Sequence, residues 1–488
     1  MNRIKAYGYT ETKLRIFNMS KLFPTIPWPS KNLPIIFIFG ISLLYWIYLG
    51  LSSSMVIIHD SVGYERLGRL LAEQGWIEFF KTGPHREPLY PLMIASAIKL
   101  SQLFHAPYQT FIIYFQICIL FVTQLLTLQL LRQLKINITF QIIALGYLGF
   151  SPALINSMLS LYSEILTYPF VLGIILVSIK IWESMNQNER HWPIGYSLWL
   201  GILLAAATLI KGIFEVITPL YLIIFLLIIL WLKGAKFLVQ GLKVILPSLL
   251  IFYGVVLSYK TLNQTFNGQF ILTNRAAWAF YGNTARRMEP LNPKRLMIAL
   301  AYMPGEGVCR GIFTEEECHF WSFRRSDEHG FTKSQELASQ GLSGRNLDQE
   351  LLRLAKDEIL KNPLQYGLFM GIEGMKMLFW ESTKIGFVEY PPWLTNAFNF
   401  KPFKNGLRLV IFLLTFFSLI FSIATIIRMK NIDNAALAII LVFIAIYIGL
   451  HSFFFTLTRY SLPIASLFIV IIAHTFQTIA RAKSVQTL

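Results

Sequence analysis

Leu33-Pro34-Ile35-Ile36-Phe37-Ile38-Phe39-Gly40-Ile41-Ser42-Leu43-Leu44-Tyr45-Trp46-Ile47-Tyr48-Leu49-Gly50-Leu51 contains no charged side chain, and the chain stays uncharged to Val56 before turning polar at His59-Asp60. About 20 such residues cover the hydrocarbon core of a bilayer as an α-helix. Inside lipid a backbone must satisfy its own hydrogen bonds, so contiguous apolar runs cross as helices, whereas barrel strands would alternate. Outward from 33–56, the same reading applies to 110–131, 138–156, 162–182, 195–211, 213–232, 244–261, 407–428, 435–450 and 457–477. Two stretches break the pattern. The stretch 88–104 is short and opens with Pro88 and Pro91, and 364–382 carries Glu373, Lys376 and Glu381. Both are expected to lie along the interface or against the bundle. The expected fold is an all-α polytopic membrane protein of about 10–12 transmembrane helices.

Composition agrees. Of 488 residues, 55% are hydrophobic and only 14% charged, against about 25% charged in soluble domains. The formal net charge of +17 would suggest nucleic acid in a soluble protein, but its distribution argues against that partner. Basic residues crowd beside the apolar runs: Arg3, Lys5, Lys13, Arg15, Lys21 and Lys31; Lys233, Lys236 and Lys243; Arg428 and Lys430; Arg481 and Lys483. That is the pattern of cytoplasmic loops touching anionic lipid headgroups.

The positive-inside rule makes 1–32 a cytoplasmic basic tail, and it keeps Arg132 and Lys135 cytoplasmic only if 88–104 does not cross. A membrane module then occupies 33–261, including a first outer loop at 57–109. A long outer region follows at 262–406, then the last helices and a short cytoplasmic tail at 407–488. Both large extramembrane pieces fall on the extracytoplasmic face. Leu51-Ser52-Ser53-Ser54 is a poor cleavage site, so the first run reads as a retained helix. Cys309 and Cys318 either pair in an oxidising compartment or stay reduced. Cys118 lies within an apolar run. No CxxC, HExxH, Walker loop or GxSxG motif is present, so spacing identifies no metal or nucleotide site.

The segment carrying chemistry follows the first run. Ile58-His59-Asp60-Ser61-Val62-Gly63-Tyr64 leads into an amphipathic stretch through Leu67, Leu70, Leu71 and Trp76. Gly83-Pro84-His85-Arg86-Glu87-Pro88-Leu89-Tyr90-Pro91-Leu92 comes next. A carboxylate just past a membrane helix, at the outer interface, is placed to meet a lipid-linked substrate. The amphipathic stretch can lie flat over it.

In order along the chain there follow Ser160-Leu161-Tyr162-Ser163-Glu164, Leu209-Ile210-Lys211-Gly212, a helix from Glu350 to Asn362-Pro363, and Arg459-Tyr460-Ser461-Leu462-Pro463. With Asp60 and the Arg86–Leu92 run, this order resembles the GT-C superfamily of membrane glycosyltransferases. The nearest branch holds bacterial protein O-mannosyltransferases and lipid A aminoarabinose transferases. The resemblance implies a GT-C helical bundle with short helices in its outer loops. It also implies inverting transfer of a hexose or pentose from a polyprenyl-phosphate donor to an extracytoplasmic lipid, glycan or protein acceptor, in a plasma (inner) membrane. Asp60 matches the family's catalytic carboxylate, a general base for the attacking acceptor, with Glu164 as a second candidate catalytic acid. Many relatives follow that Asp with another acid where this chain has Ser61, which leaves a possible divalent metal with only Asp60 and His59 or His85.

A departing polyprenyl phosphate gains negative charge, so fixed cations should lower the barrier, and Arg grips phosphate oxygens best. The implied substrate-binding residues are Arg86, Tyr90, Lys211, Arg275, Arg459 and Tyr460. Each has a plainer reading. Asp60 could cap a helix, Glu164 could serve the helix dipole, and Arg86 and Arg459 could snorkel to headgroups. The stretch from Asn274 to Arg287 reads as a solvated loop surface. The rival functions are a transporter or flippase of a polyprenyl-linked glycan, and a ligase or polymerase of the O-antigen type. A transporter would put ionisable residues inside its spans, where this chain has few.

Overall fold

The computed structural model describes residues 32–186, 194–382, 387–428 and 435–486. The basic residues Arg3 to Lys31 and Lys430 lie outside them. In chain order, the first part contains α1 (Leu33–Ser52), α2 (Asp60–Thr82), α3 (Leu89–Phe104), α4 (Tyr108–Gln133), α5 (Ile138–Phe150) and α6 (Pro152–Leu159). It continues with α7 (Glu164–Asn186), α8 (Ile194–Ile210), α9 (Phe214–Lys233) and α10 (Leu238–Asn267). The middle part carries α11 (Ala276–Met288), α12 (Pro293–Tyr302), α13 (Glu306–Cys309), α14 (Glu315–His319), α15 (Phe323–Ser339), α16 (Gly344–Lys361), α17 (Pro363–Met377) and α18 (Pro392–Asn399). The chain closes with α19 (Lys401–Arg428), α20 (Ala435–Phe454) and α21 (Ala465–Gln486).

Among the described residues, 8 helices are long and apolar enough to cross a membrane, and the α5–α6 pair would be a ninth span. The apolar α8 has 17 residues. The protein is an all-α polytopic membrane protein. The expected single crossing at 138–156 is bent by 43°. Ser151 caps α6 by accepting the Leu154 N–H, and Pro152 follows it. Proline has no N–H to give the preceding turn and clashes with it, so the helix restarts on a new axis. The stretch 88–104 forms the short α3, packed against α2 and α4.

Lipid tails offer no hydrophobic drive between helices, so close approach and hydrogen bonds must hold the bundle. Trp46 Nε1 donates to the Gly149 carbonyl at 2.8 Å. The Gln124 amide donates to Ser42 Oγ at 3.2 Å and to the Leu145 carbonyl at 3.1 Å. These bonds join α1, α4 and α5. Where α8 crosses α10, a Cβ on Gly201 would stand 2.6 Å from the Ser248 carbonyl oxygen, so only glycine permits the contact.

The segments that follow α1 fold onto those that follow α10. A short antiparallel ladder pairs Ser54 with Glu389 and Met55 with Val388. The Asn274 N–H donates to the Pro84 carbonyl at 2.8 Å, and the Asn267 side chain donates to the Phe80 carbonyl at 2.9 Å. Cys309 and Cys318 form a disulfide, buried in a small apolar cluster with Trp321 and Phe369. Cys118 is exposed on the bundle surface.

One expectation is overturned here. Arg286 and Arg287, read as solvated loop, are buried on α11. Arg286 donates to Glu373 Oε1 at 2.8 Å and to the Trp321 carbonyl at 2.7 Å, while Lys376 stands 3.4 Å from Glu373. Burial is tolerable for Arg286, Lys376 and Glu373 because they pair with one another, while Arg287 donates to the Phe453 carbonyl at 3.1 Å. The same pairing explains why α17, despite its charges, lies against the bundle.

Candidate active site

Six joints of the bundle meet at one end. They are the start of α2, the α2–α3 joint, the α6–α7 joint, the α8–α9 joint, the segment before α11, and the turn before α21. At the first, His59 adopts φ 54° and ψ −123°, a backbone shape that L-residues rarely hold and that stores strain. Ser61 Oγ closes the turn by accepting the Ile58 N–H at 2.8 Å and donating to the Ile58 carbonyl at 2.6 Å. Asp60 is thereby thrust towards the other joints.

Three guanidinium groups surround its carboxylate. Arg86 Nη2 donates to Oδ1 at 2.7 Å, Arg459 Nη2 donates to Oδ2, and Arg275 Nη1 stands 3.6 Å from Oδ1. Burial alone would raise the Asp60 pKa, but Arg459 and Arg86 outweigh it and hold the carboxyl well below the usual carboxylate range. Behind this group, Lys211 Nζ donates to Glu164 Oε1 at 3.0 Å, and Arg459 Nε lies 3.5 Å from the same oxygen. Two carboxylates therefore face four cations drawn from separate parts of the chain.

Aromatic rings fix the cations. Arg86 stacks 4.5 Å over Tyr64, Arg459 4.5 Å over Tyr162, and Lys211 4.8 Å over Tyr460. Such contacts add attraction and restrict rotamers. Arg459 and Tyr460 lie in a 3₁₀ turn, Thr458–Ile464, whose Pro463 keeps it from joining α21 as regular helix. Tyr90 is not brought to the cluster. It is fully buried, and its hydroxyl donates to Gln116 Oε1 at 3.0 Å. Gln116 in turn donates to the Met158 and Ser160 carbonyls. Instead of the expected substrate contact, Tyr90 braces the joint that carries Tyr162 and Glu164.

Two cavities share this cluster as a common wall. One, of about 450 Å³, has Ile213, Val216, Leu272 and Phe454 on its apolar side. The other, of about 1480 Å³, is lined by polar residues that include Arg66, Glu316, His319, Arg324 and Arg408. Asp60, Arg86, Arg275 and Arg459 line both.

The sequence reading missed several groups here. Tyr64 and Tyr162 sit inside quoted motifs, where only their neighbours drew attention. Glu87 follows Arg86 and accepts the Gly212 N–H at 2.6 Å, tying the α2–α3 loop to the α8–α9 joint. Asp327 on α15 lines both cavities and belongs to no motif. A divalent metal does not fit the residues first considered for it. Both Asp60 oxygens serve guanidinium groups, which repel a cation, and the His59 ring lies 5.2 Å from that of Phe387. Among the described residues no group of three or more His, Cys, Asp or Glu side chains could hold a metal ion.

No family model and no curated protein sequence matches the chain. Solved structures do. The Archaeoglobus fulgidus oligosaccharyltransferase in its apo form is 14% identical, with a TM-score of 0.48 over 94% of this chain and 52% of that one. The same protein in complex with Zn and sulfate gives 14% identity, a TM-score of 0.46, and coverage of 91% and 49%. This chain thus spans about half the length of the archaeal protein. ArnT from Cupriavidus metallidurans bound to undecaprenyl phosphate is 12% identical, with a TM-score of 0.34 over 93% of this chain and 79% of that one.

Proposed function

We propose that this protein is an inverting membrane glycosyltransferase that moves a sugar from a polyprenyl-phosphate donor to an acceptor outside the cytoplasm. The convergence of Arg86, Lys211, Arg275 and Arg459 on Asp60 and Glu164, between an apolar-walled cavity and a polar one, carries this reading. Four cations against Asp60, Glu164 and the Asp327 that lines the same cavities leave a surplus of one positive charge, which suits a phosphodiester donor that departs as a phosphate dianion. The smaller cavity would take the donor's sugar and first isoprene units, and the larger one the acceptor.

Asp60 pairs with the same Arg86 and Arg459 that would bind the phosphate. When the donor's phosphate engages Arg86 and Arg459, those groups turn from the carboxylate, and Asp60 regains basicity where the acceptor hydroxyl arrives. The acceptor oxygen bonds to C1 on the face opposite the phosphate, and the C1–O bond to phosphate breaks. Asp60 takes the hydroxyl proton, and the phosphate leaves with its second negative charge. Glu164 keeps Lys211 and Arg459 in place throughout.

A direct test incubates the purified protein in lipid nanodiscs with a panel of polyprenyl-phosphate hexoses and pentoses plus a membrane extract as acceptor. Proton NMR of the product reads the anomeric configuration. Transfer with inversion supports the proposal. Retention of configuration, or movement of the intact lipid-linked sugar without cleavage, contradicts it.

A further inference from the structure

Asp327 shares the cluster's position but not its bonding. It is half-buried on α15 and lines both cavities, as Asp60 does. Among the described residues no hydrogen-bond or ion-pair partner holds its carboxylate. Arg275, which stands 3.6 Å from Asp60, is also the cation that acts on Asp327, so one guanidinium influences both carboxylates. A carboxylate in a cleft, unpaired and facing the same two cavities as a clamped one, is free to exchange protons.

We propose that Asp327 is a proton-relay carboxylate, which takes the acceptor's proton over from Asp60 and releases it into the larger cavity. The inference rests on the glycosyl-transfer reading. As the acceptor's O–H bond breaks, Asp60 becomes the neutral acid. When the product phosphate leaves, Arg86 and Arg459 return to Asp60 and favour its charged form, expelling the proton. Asp327, as carboxylate, accepts that proton through water and becomes the acid. It then loses the proton to bulk water, and both groups are reset with charge conserved.

The electrostatics set the direction. Asp60 is held far below the usual carboxylate range, whereas burial pushes Asp327 up to about 6. The proton therefore moves downhill from Asp60 to Asp327. The groups acting on Asp327 are Arg275 before α11, Asp60 at the start of α2, and Glu328 on its own helix. Arg286 and Arg287 on the adjacent α11 are turned to Glu373 and to the Phe453 carbonyl. On α16, Arg353 pairs with Glu350 and Asp357. Below about pH 6, Asp327 already carries a proton and cannot accept another, so turnover falls as pH drops through that value.

The test is the pH dependence of kcat between about pH 4.5 and 8.5 for the full-length protein in nanodiscs, using the polyprenyl-phosphate sugar panel. Wild type is expected to show an acid limb near pH 6. Asp327→Asn should lose that limb and turn over about 10–100-fold more slowly at neutral pH with KM unchanged. Asp327→Glu, which keeps the carboxylate, should restore both limb and rate. If Asp327→Asn retains the limb and a kcat within about twofold of wild type, or if Asp327→Glu is as impaired as Asp327→Asn, the relay is overturned while the transferase reading stands. If wild type transfers sugar from no donor in the panel, the transferase reading itself fails and takes the relay with it.

Discussion

Arg459 touches both carboxylates, so removing its charge is the sharpest perturbation of the proposed site. In Arg459→Gln, Asp60 keeps Arg86 and Arg275, and Glu164 keeps Lys211. No carboxylate is left without a cation, and the fold is expected to survive. The phosphate, by contrast, loses a cation while gaining one unit of negative charge. Two unit charges about 4 Å apart interact by about 4 kcal/mol at an effective dielectric constant of about 20. Arg459 is 17% exposed, so that partly screened value applies better than a dry-interior one. The charge develops in the transition state, so the loss should fall on kcat, by about 10³-fold. Arg459→Lys keeps the charge and loses the fork and the stacking on Tyr162, about 1–2 kcal/mol and about 5–30-fold. The assay is the initial rate of sugar transfer from a polyprenyl-phosphate sugar at saturating donor, with thermal unfolding in the same nanodiscs as a check of folding. A kcat for Arg459→Gln within about threefold of wild type would refute the electrostatic reasoning. So would equal losses for Gln and Lys, which would point to shape alone.

Other outcomes follow from the packing. Gly282 and Gly330 meet where α11 crosses α15, and a Cβ on either would stand 2.1 Å or 2.7 Å from a backbone carbonyl oxygen. Gly282→Ala or Gly330→Ala should cost about 1–3 kcal/mol and shift α15 with its Asp327, lowering both the unfolding temperature and the transfer rate. Replacing Cys309 and Cys318 by serine should destabilise the outer region by about 2–3 kcal/mol in the chain-entropy account of a loop this short, read as a lower unfolding temperature that reductant no longer changes. Glu381 is fully buried and accepts the Tyr147 hydroxyl, Ser151 Oγ and the Ala153 N–H at the α5–α6 bend. Glu381→Ala should cost about 2–4 kcal/mol through donors left unsatisfied, whereas Glu381→Gln should retain most of the stability; equal losses would contradict that account.

The sequence revealed the bundle because lipid leaves a chain few options. An apolar run such as 33–56 has one stable form in a membrane, and α1 takes it. Its motifs also marked Asp60, Arg86, Glu164, Lys211 and Arg459, each next to a helix end, where a polar residue in a membrane chain stands out. The 138–156 bend escaped because hydropathy does not register helix direction, although Ser151-Pro152 carried the signal. Arg286 and Arg287 were misread because their partners, the Glu373 carboxylate and the Phe453 carbonyl, lie far along the chain, and burial of a charge depends on such partners. Tyr90 was misassigned because a motif names a residue without saying which way it points. Asp327 was invisible for a related reason: in Arg324-Arg325-Ser326-Asp327-Glu328 it is one charge among several, and only folding separates it from them.

The most direct measurement is the profile of lipid-linked sugars in a strain lacking this protein, complemented with wild type or with Asp60→Asn. A polyprenyl-phosphate monosaccharide should accumulate while one extracytoplasmic glycoform disappears, and only wild type should reverse both. An unchanged donor pool, or full complementation by Asp60→Asn, would contradict transfer at this carboxylate.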